Sequence, residues 1–273
     1  MSASSASRSA FRSKLSIDMP DISSVTRRGF LAGTALQISL AAASAQPAAS
    51  RILVYTRNGK GYVHDNIASS VATIRKMGSE NSFAVDAGDD PAVFTDATLK
   101  TYKAVVFSNS NNEAFTSDAQ RDAFERYIKA GGGFAAIHSA SGSERNWPYF
   151  WSILGGSFLR HPKFQKFTIR VKDPNHPATL GMAASFAWED ECYFLQYMNP
   201  DLHPLLVTDP SKLDDPDRAK YPRGLVGDAM PLAWTLRQDG SRQFYTSLGH
   251  MKESYSDPIL YKHILGGILW TMG

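Results

Sequence analysis

Cysteine is nearly absent from this sequence. The 273-residue chain contains a single one, Cys192, so no intrachain disulfide can form, even in an oxidising compartment. Its neighbours Asp190 and Glu191 carry negative charges that disfavour a thiolate. We therefore interpret Cys192 as a packing residue rather than a nucleophile.

The chain also has no hydrophobic run long enough for a membrane-spanning helix, which needs roughly 20 apolar residues. The first 45 residues instead contain a twin-arginine pattern, Thr26 to Leu31, a mildly apolar stretch, and the small residues Ala43-Ser44-Ala45. They predict a signal peptide for the twin-arginine route. The expected product is a periplasmic protein, residues 46–273, without stable membrane association.

An excess of charge of one sign is missing from the predicted mature chain. Removing the five basic and two acidic residues of the leader from totals of 29 and 26 leaves 24 of each. Such a chain has no net charge to attract nucleic acid or anionic lipid, so neither is an expected partner. Its length suits one domain with a substantial core, and homo-oligomer formation remains open.

Short apolar runs alternate with helical patterns in the first half of the chain. Strands are predicted over 51–56, 83–86, 103–108 and 134–137. The helix before the last of these strands is expected to start with a capping box of Ser117 and Gln120. This alternation predicts an α/β fold with a mostly parallel sheet and right-handed crossovers.

The second half of the chain has a more antiparallel pattern. Further strands are predicted over 164–171, 186–195, 205–208, 232–236 and 243–248. A closing helix over 258–271 presents Leu260, Ile264 and Ile268 on one face. The segment 209–228, rich in Pro, Asp and Lys, is expected to be a solvated loop.

Histidines lie at or soon after the carboxyl ends of three predicted strands: His64, His138 and His250. In parallel sheets the binding crevice lies outside these ends, so we expect the three imidazoles to face one cavity. They suit either a general acid–base set or the ligands of a divalent metal, with zinc favoured. Their spacing is too long for a local metal motif, and both alternatives stay open.

Two common classes of site are not supported by the motifs. Around Ser139, the Gly-x-Ser-x-Gly elbow would need glycine where the chain has Ile137 and Ser141, which argues against a serine hydrolase. Around Lys60, the phosphate-loop spacing is absent, and no nucleotide cofactor is expected. Trp147 could stack on a sugar face, although core packing would explain it as well.

A succession of motifs then runs along the chain: "RNGKGYVHDNI", "GGGFAAIHSASGS", "GGSFLRHP", "DECYFLQYMNP" and "SLGHMKESYSDP". In them the sequence resembles the trehalose-utilisation (ThuA-like) family, over essentially all of residues 46–273. The resemblance implies a class I glutamine amidotransferase-like fold, a flavodoxin-like three-layer sandwich. Amidotransferases have a cysteine in the turn where this chain has His138 and Ser139, so the resemblance implies the fold without glutaminase activity.

The resemblance also implies a role in carbohydrate catabolism, as a hydrolase or lyase acting on a disaccharide or a keto-sugar derivative. The predicted catalytic residues are His138, His250 and Glu191, and the predicted metal ligands are His64, His138 and His250. The predicted substrate contacts are His64, Ser139, Trp147, His161 and Asp190. A non-catalytic sugar-binding or partner-recognition module on the same fold is the alternative. Cys192 departs from the family pattern, which often has an aromatic residue after the Asp-Glu pair.

Overall fold

The computed structural model describes residues 50–218 and 229–273, which form helices and strands around one large sheet. The predicted signal peptide lies outside the described residues, as does the second half of the predicted loop over 209–228. Within the described ranges, no helix combines the length and apolar character needed to cross a membrane.

Eleven strands lie within the described ranges. In chain order they are β1 (Ser50–Tyr55), β2 (Phe83–Gly88), β3 (Ala104–Ser108), β4 (Gly133–Ile137), β5 (Ser157–Arg160), β6 (Gln165–Val171), β7 (Ser185–Asp190), β8 (Phe194–Gln196), β9 (His203–Thr208), β10 (Met230–Gln238) and β11 (Ser241–Thr246). The main sheet has the order β2-β1-β3-β4-β11-β10-β9-β6-β7, and β5 pairs with β8 separately. The first five strands of that order are parallel, and the other four extend the sheet with antiparallel pairs.

The helices within the described ranges cover both faces of the parallel strands. They are α1 (Ile67–Glu80), α2 (Asp96–Leu99), α3 (Asp118–Lys129), α4 (Pro148–Leu154) and α5 (Pro258–Met272). Side chains that alternate along each strand enter two cores: Ile52 and Val54 share a core with α1 and α5, whereas Leu53 and Tyr55 share one with α3 and α4. Burial on both faces explains the unbroken apolar runs of these strands. The arrangement confirms the predicted α/β sandwich.

Helix α5 closes one core with the face that the sequence predicts. Asp257 caps its start by accepting a hydrogen bond from Ile259 N at 2.7 Å. Leu260, Ile264 and Ile268 are all fully buried. At Gly266 the backbone of residue 177 approaches so closely that an added Cβ would lie 2.2 Å from its carbonyl oxygen. Glycine therefore permits this helix to pack against the preceding loop.

The predicted capping box of α3 does not form. Ser117 precedes the helix, but its side chain makes no capping hydrogen bond. Gln120 Oε1 instead accepts hydrogen bonds from Thr116 N at 2.8 Å and Thr116 Oγ1 at 3.1 Å. The helix begins where the sequence predicts, and a different residue pair satisfies the groups at its start.

The single strand predicted over 186–195 is wrong, because the chain leaves the main sheet after Asp190. Strand β7 ends at this residue, and β8 begins at Phe194 and pairs with β5 in the smaller sheet. The side chain of Asp190 accepts hydrogen bonds from the backbone N–H groups of Gly249 and His250, and the chain after Asp190 does not continue strand β7. Residues 191–193 connect the two strands and belong to neither.

The buried histidine of α5 gives a test of this packing. His263 is fully buried, and its Nδ1 lies 2.7 Å from Ala178 O. Burial lowers the pKa of His263 from 6.5 to about 4. The unfolded chain therefore binds this proton first as the pH falls, so the stabilising effect is complete above pH 6.5 and is lost progressively towards pH 4.

We predict that His263→Gln, which cannot be protonated in this range, reduces the pH dependence of stability. Between pH 7.5 and pH 4.5 the wild type should lose about 2–3 kcal/mol more free energy of unfolding than the variant loses. Urea unfolding at both pH values measures the difference. Equal losses in the two proteins would contradict the prediction.

Candidate functional site

A cavity of about 440 Å³ lies at the carboxyl ends of the parallel strands. Its lining residues come from the strand exits and from β5: Tyr62, His64, Asn111, Ser139, Gly142, Arg145, Phe158, His161, Glu191, Tyr193 and His250. The volume falls within the range of small-molecule sites, roughly 300–1,000 Å³. This edge of the sheet is also where open α/β folds bind ligands.

Four side chains converge at the floor of the cavity: His64, His138, Glu191 and His250. One nitrogen or oxygen atom of each lies within 4.8 Å of the others. The two Nε2 atoms of His64 and His138 are 3.3 Å apart. Glu191 Oε2 lies 3.6 Å from His138 Nε2 and 3.2 Å from His250 Nδ1. The structure therefore brings the three strand-exit histidines and the predicted carboxylate into one group, hereafter the His/Glu cluster.

His138 owes its position to a sharp turn at the end of β4. Its φ of +52° lies in the left-handed region, which is uncommon for residues other than glycine. The imidazole is fully buried, and its Nδ1 lies 2.7 Å from the carbonyl oxygen of Ser247. A carbonyl oxygen only accepts, so Nδ1 carries the proton and the lone pair of Nε2 faces the cluster.

Asp190 holds the other side of the site together, and this placement corrects its predicted role as a substrate contact. The residue is fully buried. Its carboxylate accepts hydrogen bonds from four N–H groups, at 2.8 Å from Gly249, 3.2 Å from His250, 2.9 Å from Glu191 and 3.0 Å from the indole of Trp188. Three strands separate β7 from β11 in the sheet order, so these bonds join the segment after β11 to the edge strand. Asp190 therefore positions Glu191 and His250.

Trp147 does not line the cavity, in contrast to its predicted role as a substrate contact. Its ring packs in the second core, with centroids 5.8 Å from that of Phe115 and 6.2 Å from that of Phe150. The predicted contacts that do line the cavity are His64, Ser139 and His161. Ser139 Oγ is buried without a hydrogen-bond partner, and His161 Nε2 lies 3.4 Å from Glu191 Oε1.

Burial and neighbouring charges set the protonation of the His/Glu cluster. Burial, reinforced by the other imidazoles, lowers the pKa of His64 to about 3, and burial lowers the pKa of His138 to about 4. Burial alone would raise the pKa of Glu191, but its contact with His250 and the other imidazoles lowers it to about 2. The Glu191 carboxylate in turn raises the pKa of His250. At neutral pH the cluster therefore offers two uncharged imidazoles and one carboxylate.

The donor set of the cluster fits a divalent metal ion. Tetrahedral zinc bonds of about 2.0–2.1 Å place neighbouring ligand atoms roughly 3.3 Å apart. Three pairs in the cluster lie at 3.2, 3.3 and 3.6 Å. The hydrogen bond between His138 Nδ1 and Ser247 O resembles the outer-shell contacts that orient metal-binding histidines. The residues that could hold the ion are His64, His138, His250 and Glu191.

Sequence reasoning missed several residues of the cavity wall, among them the buried Tyr193. This residue is 3% exposed, and its hydroxyl lies 2.8 Å from His138 Nε2. Its ring centroid is 4.6 Å from that of Phe158, another missed residue. The one available signal is position, since side chains two residues apart on extended backbone point the same way, as do Glu191 and Tyr193.

Arg145 is a further missed residue; it is exposed and lines the cavity. Its guanidinium carbon is 5.4 Å from the ring centroid of Phe158, which is close enough for a cation–π contact. No sequence motif marks this arginine. The cavity thus combines aromatic walls, one arginine and the His/Glu cluster.

These features define a class of protein: a flavodoxin-like α/β sandwich with a histidine- and carboxylate-lined cavity at its strand exits. Within this class, the chain belongs to the ThuA family, described as trehalose utilisation, whose model matches residues 51–271. No curated protein sequence matches the chain.

Solved structures are similar to the chain in fold. A ThuA-like protein from Bacteroides uniformis is 24% identical over 83% of this chain and 93% of its own, with a TM-score of 0.63. A ThuA-like protein from Parabacteroides merdae is 18% identical over 82% of this chain and 90% of its own, with a TM-score of 0.62. A β-galactosidase from Bacillus circulans is 10% identical over 82% of this chain and 30% of its own, with a TM-score of 0.52. At these identities the likeness concerns the fold alone.

The four hydrogen bonds to Asp190 predict a large effect of removing its charge. In Asp190→Asn, an NH₂ group replaces one accepting oxygen and leaves buried N–H donors without a partner. We expect the free energy of unfolding to fall by about 2–4 kcal/mol, measured by urea denaturation.

The matched control is Glu189→Gln, which changes an exposed carboxylate on the same strand. This variant should shift the free energy of unfolding by less than about 0.5 kcal/mol. Similar losses in the two variants would show that the hydrogen bonds to Asp190 are not the cause.

Proposed function

We propose that the protein is a periplasmic enzyme of carbohydrate catabolism, a hydrolase or lyase that acts on a disaccharide or a keto-sugar derivative. One observation supports this proposal most strongly: three imidazoles and a carboxylate converge within 4.8 Å at the floor of a cavity. Membership of a family described as trehalose utilisation supports the choice of a carbohydrate.

The roles of the residues follow from their contacts. Glu191 is the proton acceptor, because its carboxylate reaches both the cavity and His250 Nδ1 at 3.2 Å. His250 returns the proton to the leaving oxygen, and His161 orients Glu191 from its other oxygen at 3.4 Å. The hydrogen bond from His138 Nδ1 to Ser247 O fixes the orientation of the imidazole, so that the lone pair of Nε2 points towards the bound ligand.

The walls of the cavity suit a sugar. The rings of Tyr62 and Phe158 offer apolar faces against which a pyranose can stack. Arg145 and Asn111 at the cavity surface offer hydrogen-bond donors for hydroxyl groups. The combination of apolar faces and few polar groups is typical of small-molecule sites.

As the alternative to this acid–base set, we propose that His64, His138 and His250 hold a divalent metal, with Glu191 as a further ligand or as the base. Zinc is the ion that neutral imidazoles and a carboxylate favour. When bound, it would supply Lewis-acid polarisation of a ligand oxygen. The short separations between the donor atoms support this assignment.

A second candidate is a non-catalytic sugar-binding module on the same fold. The observation in its favour is that the turn at residues 138–139 has no cysteine, while aromatic side chains provide a recognition surface. Such a protein would be stabilised by a carbohydrate without converting it. The two candidates therefore differ in turnover and not in binding.

We predict that Glu191→Gln lowers turnover of a panel of glycosides and 3-keto-glycosides at least about 100-fold, because the proton acceptor is lost. His138→Ala should also lose bound metal, measured by elemental analysis of protein purified without chelator. His203→Gln is the matched control, since this exposed histidine pairs with Asp173 at 2.9 Å outside the cavity.

Each contrary result removes a defined part of the proposal. Thermal stabilisation by a glycoside without any product, at high protein concentration, would favour the binding module. A wild-type protein free of metal that still turns over substrate would leave the acid–base mechanism alone. Equal losses of activity in His203→Gln and Glu191→Gln would remove the proposed site.

The periplasmic location rests on the twin-arginine pattern in the leader. We predict that replacing Arg27 and Arg28 together by lysine retains the protein in the cytoplasm, measured by cell fractionation. Replacing Arg8 and Arg12 by lysine is the control, which should leave export unchanged. Export of the Arg27/Arg28 variant through an intact twin-arginine pathway at the wild-type level would overturn the assignment.

A further inference from the structure

Tyr193 contacts the atom of His138 that the proposed metal needs. Its hydroxyl oxygen lies 2.8 Å from His138 Nε2. The opposite nitrogen, Nδ1, lies 2.7 Å from Ser247 O and therefore carries a proton. Since a neutral imidazole has only one protonated nitrogen, Nε2 accepts and the Tyr193 hydroxyl donates.

Tyr193 cannot move far from this position. The residue is 3% exposed, and its ring centroid lies 4.5 Å from that of His138 with the planes tilted by 31°. Phe158 meets the ring at 4.6 Å, and His161 stacks on it at 5.6 Å. The phenol therefore stays beside His138 whatever the imidazole binds, and only its O–H bond can reorient.

The single lone pair on Nε2 cannot accept a hydrogen bond from the phenol and coordinate a metal ion at the same time without weakening one of the two interactions. We propose that Tyr193 and a bound divalent cation compete for the lone pair of His138 Nε2. Tyr193 is then a positioning residue that holds His138 in the metal-free protein and lowers the affinity of the site for its cation. This inference rests on the metal site in the proposed function.

If Tyr193 competes with the metal, the expected effect of Tyr193→Phe on metal affinity is opposite in sign to the effect expected if Tyr193 is a metal ligand or a purely structural residue. If Tyr193 were itself a ligand, or only held the site in shape, Tyr193→Phe would weaken metal binding. If it competes, losing the hydroxyl removes a hydrogen bond that metal binding must break. Because a single hydrogen bond of ordinary net strength corresponds to about a fivefold change in a binding constant, Tyr193→Phe should bind the metal about fivefold more tightly than the wild type.

The experiment is a calorimetric titration of the metal-free protein with zinc. We expect Tyr193→Phe to bind zinc about fivefold more tightly than the wild type. The matched control is Tyr245→Phe, because the Tyr245 hydroxyl donates to the backbone oxygen of His138 at 3.0 Å and not to its imidazole. This control should leave the zinc affinity unchanged, and thermal unfolding checks that each variant is folded.

A second comparison uses variants that lack the contested nitrogen. His138→Ala should bind zinc only weakly, through the remaining donors His64, His250 and Glu191. Adding Tyr193→Phe to this variant should not change that residual zinc affinity. Equal or weaker zinc binding by Tyr193→Phe in the wild-type background would overturn the inference. So would a gain of affinity that persists without His138, because the competition would then involve another atom.

The wild-type titration separates failure of this inference from failure of the proposed metal site. Zinc binding by the wild type without a gain in Tyr193→Phe overturns the competition and leaves the metal site standing. Zinc binding by Tyr193→Phe alone supports the competition in its strongest form. No binding by either protein overturns the metal site and the competition together, while the turnover assay still tests the acid–base enzyme.

Discussion

The carboxylate of Asp190 is the interaction on which the candidate site depends. It joins the end of β7 to the exit of β11 through hydrogen bonds with Gly249 and His250, which lie 59 and 60 positions further along the chain. The same group fixes the backbone of Glu191. Burial raises the pKa of Asp190, and the four N–H donors oppose that effect. One buried carboxyl group thus joins the edge strand β7 to the exit of the central strand β11.

A second polar network, around Asn66 and Asn109, holds the same segment. Asn66 Nδ2 donates to the backbone oxygens of Gly249 at 2.7 Å and His250 at 2.9 Å. Its neighbour Asn109, in the left-handed region with a φ of +53°, donates to the hydroxyl of Tyr255 at 2.8 Å. The backbone of His250 is therefore bound at its N–H by Asp190 and at its oxygen by Asn66. Supporting contacts of this kind give a site its geometric precision.

Most strands of the main sheet and the long helices could be predicted because their signals are local, whereas β5 lies in a segment that the sequence indicates as a loop. Unbroken apolar runs indicate strands buried on both faces, and the spacing of Leu260, Ile264 and Ile268 indicates one helix face. The exits of these strands also predict where His138 and His250 lie. These features depend on neighbouring residues in the sequence, and the structure agrees with them.

Other features depend on partners that are distant in the sequence, and they could not be predicted. The strand expected over 186–195 breaks because Asp190 binds backbone groups beyond residue 248. The Trp147 ring is of a kind that can stack on a sugar, but it packs against the second core instead. Tyr193 has the pattern of a core aromatic residue, and only its contact with His138 distinguishes it. In each case the local sequence is compatible with two roles, and a tertiary contact determines which of them the residue has.

The central position of β11 has a consequence for synthesis. This strand inserts between β4 and β10, so the sheet stays in two parts until the last segments of the chain are available. His138 and its backbone partner Ser247 are 109 positions apart. Forming this pairing requires closure of a long loop, which is slow compared with local folding. A ribosome-bound chain that ends before β11 therefore has no complete cavity, and the candidate site forms only in the finished fold.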